Sequence, residues 1–362
     1  MKNEKCKMQK EDRHSPAFCL FHFSFVIFHL VFISVAGAQT GATGPDTIIL
    51  APRADGAGRI VMTGRVVDYT GTTLTYETNS GGKQSLPGKQ VLEIQSKWSA
   101  PHLDGDAAWE ARDFANAAKQ YGAALPAKPR PWVKRLIASR LVAALRESDR
   151  WEAAAEQFLS LTRDDPATPY FAVIPLPWTT PTVSAAFEAK ARTWSDDRRS
   201  SVAALLGSSF LLSTAARSDG LRRLNELKLD ADPRIAKLAE AQLWRVASVT
   251  ADAGTIAGWE QSVEKMPADL RAGPLFVVGR AWSTRDDAER SALVLLRLPI
   301  LYADQQPRLA AEALWTGGRM LEKLTRPEQA ATLYRELIRD FPESMPATTA
   351  RERLAELSPP TP

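Results

Sequence analysis

The chain has 362 residues, of which 24% are charged and 44% hydrophobic, a balance that suits a folded globular protein rather than a disordered one. Of the 46 Lys/Arg and 42 Asp/Glu, five and three fall in residues 1–38; the remaining 41 and 39 leave a net charge of only +2. That excess is too small for the concentrated basic stripe that nucleic acid requires. Both cysteines, Cys6 and Cys19, also lie before residue 38, so the rest of the chain offers no disulfide, thiolate or zinc–sulfur site.

Residues 1–38 read as a targeting segment. Lys2, Lys5, Lys7, Lys10 and Arg13 form a basic start, Ala17–Val35 is apolar and rich in Phe, and Ala36-Gly37-Ala38 has the small-x-small form of a signal peptidase site. Cleavage before Gln39 is one reading. The other is an uncleaved anchor, because residues 17–36 are about long enough to span a bilayer as a helix. His22 and His29 weigh against a permanent span. Either way the chain is expected to be exported to a periplasm or cell envelope, with membrane contact only through this segment.

Residues 39–98 have a different texture. Thr47–Leu50, Ile60–Val67, Thr72–Thr78, Lys83–Leu86 and Val91–Gln95 are short and rich in Val, Ile, Thr and Tyr, with turn formers between them. Five short strands predict a small SH3-like or Sm-like barrel, since closure removes exposed edges. Gly81-Gly82-Lys83 is a hairpin turn and not a phosphate loop: Glu77 and Gln84 stand where that loop needs Gly and Ser/Thr.

From Ser99 to Leu357 the period is helical. Leu314, Gly318 and Leu321 share one helix face, and Ala330, Tyr334 and Leu337 share the face of the next. Gly318 and Ala330 let the two axes approach closely, and Pro342 ends the second helix. The Ala-x3-aromatic step recurs at Ala117/Tyr121, with Gly105 and Pro126, and at Ala154/Phe158, with Pro166. Pro233 and Pro267 bracket another pair around Leu238–Val249 and Ile256–Glu264. Val202–Ala215 with Leu221–Leu227, and Leu270–Trp282 with Ala288–Leu298, are helical by period but fit the pattern poorly. Asp164–Pro181 interrupts the array: Pro166, Pro169, Pro175, Pro177 and Pro181 exclude a helix, and Tyr170, Phe171 and Trp178 predict a loop that packs onto the helices, plugging or lining their groove.

These positions resemble the 34-residue helix–turn–helix pattern of tetratricopeptide (TPR) repeats. Pro327–Pro342 with Ala350–Leu357 is similar to repeats of bacterial envelope TPR proteins. The fold expected is mainly α, a TPR-like α-solenoid over 99–357 preceded by a small all-β barrel domain over 39–98 and an N-terminal signal or anchor helix, with a disordered tail at 358–362.

The resemblance implies a binding protein whose inner helix face holds a protein or peptide. Carried onto the last unit, the inner-face positions are Glu312, Trp315, Arg319 and Glu322; onto the unit ending at Pro267 they are Lys237, Glu240 and Trp244. The alternative is an envelope-structural module whose β-domain docks to wall or membrane components, with the solenoid as spacer. No enzyme chemistry, cofactor or metal is expected. After residue 38 the only histidine is His102, read as a solvent-facing or packing residue, and Asp164-Asp165, Asp196-Asp197 and Asp286-Asp287 read as helix-end acids.

Overall fold

The computed structural model describes residues 44–52, 58–127 and 129–357. The expected signal or anchor segment and the C-terminal tail lie outside these residues. No helix among the described residues is long and apolar enough to cross a membrane.

The N-terminal strands fall close to their expected places: β1 Asp46–Leu50, β2 Ile60–Tyr69, β3 Thr73–Glu77, β4 Lys83–Pro87 and β5 Val91–Gln95. They form one antiparallel sheet in the order β4-β3-β2-β1-β5. β4 and β5 are its two edges and do not pair, so the sheet is open and the expected barrel closure does not occur. The physical reason lies in how its apolar face is covered. Ile48, Leu50, Val66, Leu74 and Tyr76 point to one side, and Trp132 from the helical region fills the space that a barrel would fill from its own far wall. A polar clamp fixes this joint. Buried Asp46 accepts from the Val66 N–H (2.7 Å) and from Arg130 Nη1 (2.6 Å) and Nη2 (2.9 Å). Burial alone would raise the Asp46 pKa, but hydrogen bonds from Arg130, Ser96 and Val66 outweigh it and hold the carboxyl below its ordinary value.

The remainder is helical: α1 Ala100–Glu110, α2 Phe114–Ala124, α3 Pro131–Glu147, α4 Trp151–Asp164, α5 Ala185–Ser195, α6 Ser201–Leu211, α7 Arg217–Leu227 and α8 Pro233–Ala247. Then follow α9 Ala253–Glu264, α10 Ala272–Thr284, α11 Ala288–Leu295, α12 Arg297–Leu301, α13 Pro307–Lys323, α14 Pro327–Asp340 and α15 Met345–Leu357. Acids expected at helix ends act there: Asp287 caps α11 through the Arg290 N–H, and Asp165 ends α4.

Four helix pairs, α1/α2, α3/α4, α10/α11 and α13/α14, share one turn. Arg112, Asp149, Asp286 and Thr325 each take a left-handed conformation, with φ of 61°, 61°, 60° and 56°. The next residue's N–H returns to the carbonyl five residues back, as in Asp113 to Ala108 (2.9 Å) and Arg326 to Leu321 (2.9 Å). Counted from the left-handed residue, the fifth position is Ala117, Ala154, Ser291 or Ala330, and the ninth is Tyr121, Phe158, Leu295 or Tyr334; all eight are buried. Tyr121 lies on Gly105 and Tyr334 on Gly318, where a Cβ would sit closer than 3.0 Å to the ring. The α10/α11 pair, poorly matched in sequence, belongs to this set: Leu295 replaces the aromatic and packs on Gly279.

The loop between α4 and α5 runs inside the helical array. Phe171, Ile174, Leu176 and Trp178 are buried; Phe171 meets Phe158 edge-on, and the Trp178 indole lies against Gly273 of α10. The array also closes on itself. Arg146 Nη2 donates to the Gln305 carbonyl (2.7 Å), Arg112 Nη1 to the Ala303 carbonyl (3.2 Å), and the Arg308 N–H to Glu147 (3.0 Å). Arg308 also pairs with Asp149 and lies over the Trp151 ring.

Candidate functional site

Closure of the array around the loop leaves a cleft of about 530 Å³ on the inner side of α1 and α3. α1 contributes Asp106, Trp109 and Glu110; α3 contributes Ser139, Arg140, Ala143 and Arg146. The far wall is the loop segment Pro169–Tyr170 and Ala172–Val173, with Asp269, Asp304 and Gln305 beside it. A helix presents residues three and four apart on one face, which is why Asp106, Trp109 and Glu110 line the cleft together, as do Ser139, Ala143 and Arg146. The volume falls within the range of clefts that hold small molecules or side chains of a bound segment.

One polar network organises the α1/α3 wall. Tyr121 Oη donates to Asp106 Oδ1 (2.7 Å), and Arg140 pairs with the same carboxylate. Arg140 Nη1 also donates to His102 Nε2 (2.8 Å), which places the imidazole proton on Nδ1. His102 is fully buried, with Trp98 at a ring-centroid distance of 4.6 Å. Burial first, and the Arg140 charge second, push its pKa down to about 4 against the pull of Asp106, so the ring is neutral at physiological pH. His102 is therefore a packing residue. Arg146, 4% exposed, bonds Glu147 through Nε (2.9 Å) and the Gln305 carbonyl through Nη2, while its Nη1 has no protein partner. The cleft thus offers fixed guanidinium donors, four carboxylates and the aromatic surfaces of Trp109, Tyr121 and Tyr170. No group of three or more His, Cys, Asp and Glu among the described residues is arranged to hold a metal ion.

No protein-family model matches this chain, and no curated protein matches its sequence.

The seven residues expected on the inner faces do not line the cleft. On α8, Lys237 pairs with Glu240 (3.0 Å), and Trp244 is buried, stacked on Trp259 at 5.5 Å. Trp244 is 4% exposed and so presents almost no surface to a partner. On α13, Trp315 packs on Tyr334 (5.3 Å) with the Arg319 guanidinium 5.9 Å from its ring. Glu322 accepts from Tyr334 Oη (2.5 Å) and from Arg353 Nε (3.0 Å), with Arg319 at 3.4 Å. Glu312 is partly buried; burial raises its pKa, and Arg280 and Arg308 oppose the rise.

Glu322 stands to Tyr334 and Arg353 as Asp106 stands to Tyr121 and Arg140. Both sets share one spacing: the glycine, the tyrosine 16 residues on, and the arginine 19 further. Gly105-Tyr121-Arg140 and Gly318-Tyr334-Arg353 are visible in the sequence at that spacing, and the second arginine is the signal that an inner-face reading alone misses.

Proposed function

We propose that this chain is a TPR-like helical-repeat scaffold of the cell envelope that binds a protein or peptide segment in the cleft between α1, α3 and the inserted loop. The observation that carries this reading is the composition of that cleft. Trp109, Tyr121 and Tyr170 supply stiff apolar area beside the donors of Arg140 and Arg146, the residue types that dominate protein-recognition hot spots. The TPR part of the reading is supported by the four hairpins that share a left-handed turn with a small residue and a large apolar residue at fixed offsets. The export part rests on residues 1–38 alone.

The spacer alternative has less support. The sheet is clamped to α3 through Asp46, Arg130 and Trp132, which makes it part of the same body and not a separately mounted module.

The test is site-specific photo-crosslinking in an envelope fraction, with a benzophenone side chain at Glu110 in the cleft and, as control, at exposed Leu229. A discrete adduct from position 110 and none from 229 is expected. Equal adducts from both positions, or none from 110, would remove the cleft from the binding reading. Intact-mass analysis of the same preparation tests export: a mass beginning at Gln39 marks cleavage, and the mass of the full chain marks an anchor.

A further inference from the structure

A second cavity, of about 510 Å³, lies on another part of the array, among the C-terminal end of α6, the start of α7, the end of α8, and α10. Three arginines line it, Arg217, Arg245 and Arg280, and no aspartate or glutamate does. Elsewhere on these helices arginines are neutralised: Arg223 pairs with Glu226 (2.7 Å) and Arg234 with Asp232 (2.7 Å). The cavity arginines form no ion pair among the described residues. Arg245 donates only to uncharged acceptors, the Ser209 carbonyl (3.3 Å), Gln242 Oε1 (2.6 Å) and the Thr179 carbonyl (3.1 Å). Arg280 leans over the Phe276 ring at 5.9 Å, and neither it nor Arg217 forms an ion pair among the described residues. The carboxylate that acts on Arg280 electrostatically, Glu312, lies outside the cavity lining.

Arg217 and Arg280 are exposed at the cavity rim, whereas Arg245 lies deeper, where a like charge nearby is screened less by solvent. The effect shows on Arg245, whose pKa is pushed down to about 10 by burial and then by Arg217. A ligand complementary to this lining is an anion. Its form follows from the walls. Three guanidiniums exceed what a single carboxylate balances and match a phosphate dianion, whose oxygens accept paired N–H donors. The Thr180 and Ser213 side chains add hydroxyls at the same rim. Trp178 supplies a flat apolar wall, and the cavity is far larger than one phosphate, so the anion carries an organic body.

We propose that this cavity binds a small organic phosphomonoester, with the phosphate held by Arg217, Arg245 and Arg280 and the organic body against Trp178. The site is separate from the α1/α3 cleft and does not depend on its reading.

Isothermal titration of the full-length protein with phenyl phosphate, inorganic phosphate and phenol at constant ionic strength tests this. Saturable one-to-one binding of phenyl phosphate is expected, with inorganic phosphate weaker and phenol without measurable binding. Arg217→Gln with Arg280→Gln removes two exposed cations and leaves the structural bonds of Arg245 in place, so circular dichroism should be unchanged while affinity falls by about tenfold or more. Binding unaltered in that variant, or none by the unmodified protein at millimolar ligand, would overturn the site. Equal affinities for phenyl phosphate and inorganic phosphate would overturn the organic ester.

Discussion

Adjacent glycines in α13 should respond to alanine with opposite signs. Gly318 faces Tyr334, and an added Cβ would sit closer than 3.0 Å to ring atoms Cε1 and Cζ. The ring has nowhere to go. Tyr334 is fully buried, and its hydroxyl is tied to Glu322, itself tied to Arg353. Overpacking of this kind costs about 1–3 kcal/mol. The approach to Cε1, well inside 3.0 Å, puts the cost in the upper part of that range, about 2–3 kcal/mol; replacing a mid-helix glycine with alanine returns about 1 kcal/mol of helix propensity, so the net loss for Gly318→Ala is about 1–2 kcal/mol, more if the ring tilts far enough to break the bond to Glu322. At Gly317 the nearest atoms to an added Cβ are Leu333 Cδ1 at 3.5 Å and Leu296 Cδ2 at 3.6 Å, ordinary van der Waals contacts. Gly317→Ala should therefore stabilise by up to about 1 kcal/mol. Urea unfolding followed by circular dichroism measures both, and hydrogen exchange should localise the effect to α13–α15, since arrays of this kind lose stability locally. Gly105→Ala, facing Tyr121, should follow Gly318→Ala. A neutral Gly318→Ala, or a Gly317→Ala as damaging as its neighbour, would refute the packing argument.

Three further outcomes follow from named contacts. His102 titrates near 4 in the folded chain against an ordinary 6.5, so the unfolded state binds more protons between these values; stability should be complete above pH 6.5 and fall by up to about 3 kcal/mol as pH drops toward 4. His102→Gln should flatten that part of the pH–stability curve, and an unchanged slope would show that other groups cause it. Arg319→Ala should shift the urea midpoint by less than the equivalent of about 0.5 kcal/mol, because its pairing with Glu322 is half-exposed, whereas Trp315→Ala should loosen the Tyr334 contact and fray α13–α15. Asp165→Ala removes the acceptor of the Gly71 N–H (3.0 Å) and should raise hydrogen exchange in the β2–β3 turn and the inserted loop together; exchange raised in only one would count against a joint between them.

The sequence exposes local order more fully than long-range arrangement. Strand limits were legible because Val, Ile, Thr and Tyr alternate between turn formers, and helix limits because Pro and capping Asp or Ser mark them. Whether the sheet closes was not legible. That depended on Trp132, 37 residues beyond β5, supplying the missing side of its core. The Ala-x3-aromatic step identified three of the four matching hairpins and missed α10/α11, where Leu295 and Ser291 satisfy the same packing with other side chains. The inner-face residues chosen by repeat position failed to find the cleft for a related reason. An isolated repeat leaves its inner face open, but here the loop with Phe171 and Trp178 fills the array and its two ends meet, so the cavities that remain, one between α1 and α3 and one among α6, α7, α8 and α10, are lined by other residues.

The inserted loop bears on how the α1/α3 cleft can work. Its apolar side chains face the core, where Phe171 meets Phe158 and Trp178 meets Gly273, while Pro169, Tyr170, Ala172 and Val173 face the cleft. One segment is thus both a core element and a cleft wall, and its prolines limit the conformations it loses on ordering. The opposite wall is equally fixed, since Arg140 and Asp106 are tied to Tyr121 and His102, and Arg146 to Gln305. A ligand entering such a cleft meets donors already oriented and side chains already immobilised, so little ordering free energy opposes binding. The same argument sets a limit. A wall built from the core cannot swing away without exposing Phe171, Ile174, Leu176 and Trp178, so the proposed ligand of the cleft between α1 and α3 would have to fit the opening as it stands: a side chain, a chain end or a narrow extended segment, and not a folded domain.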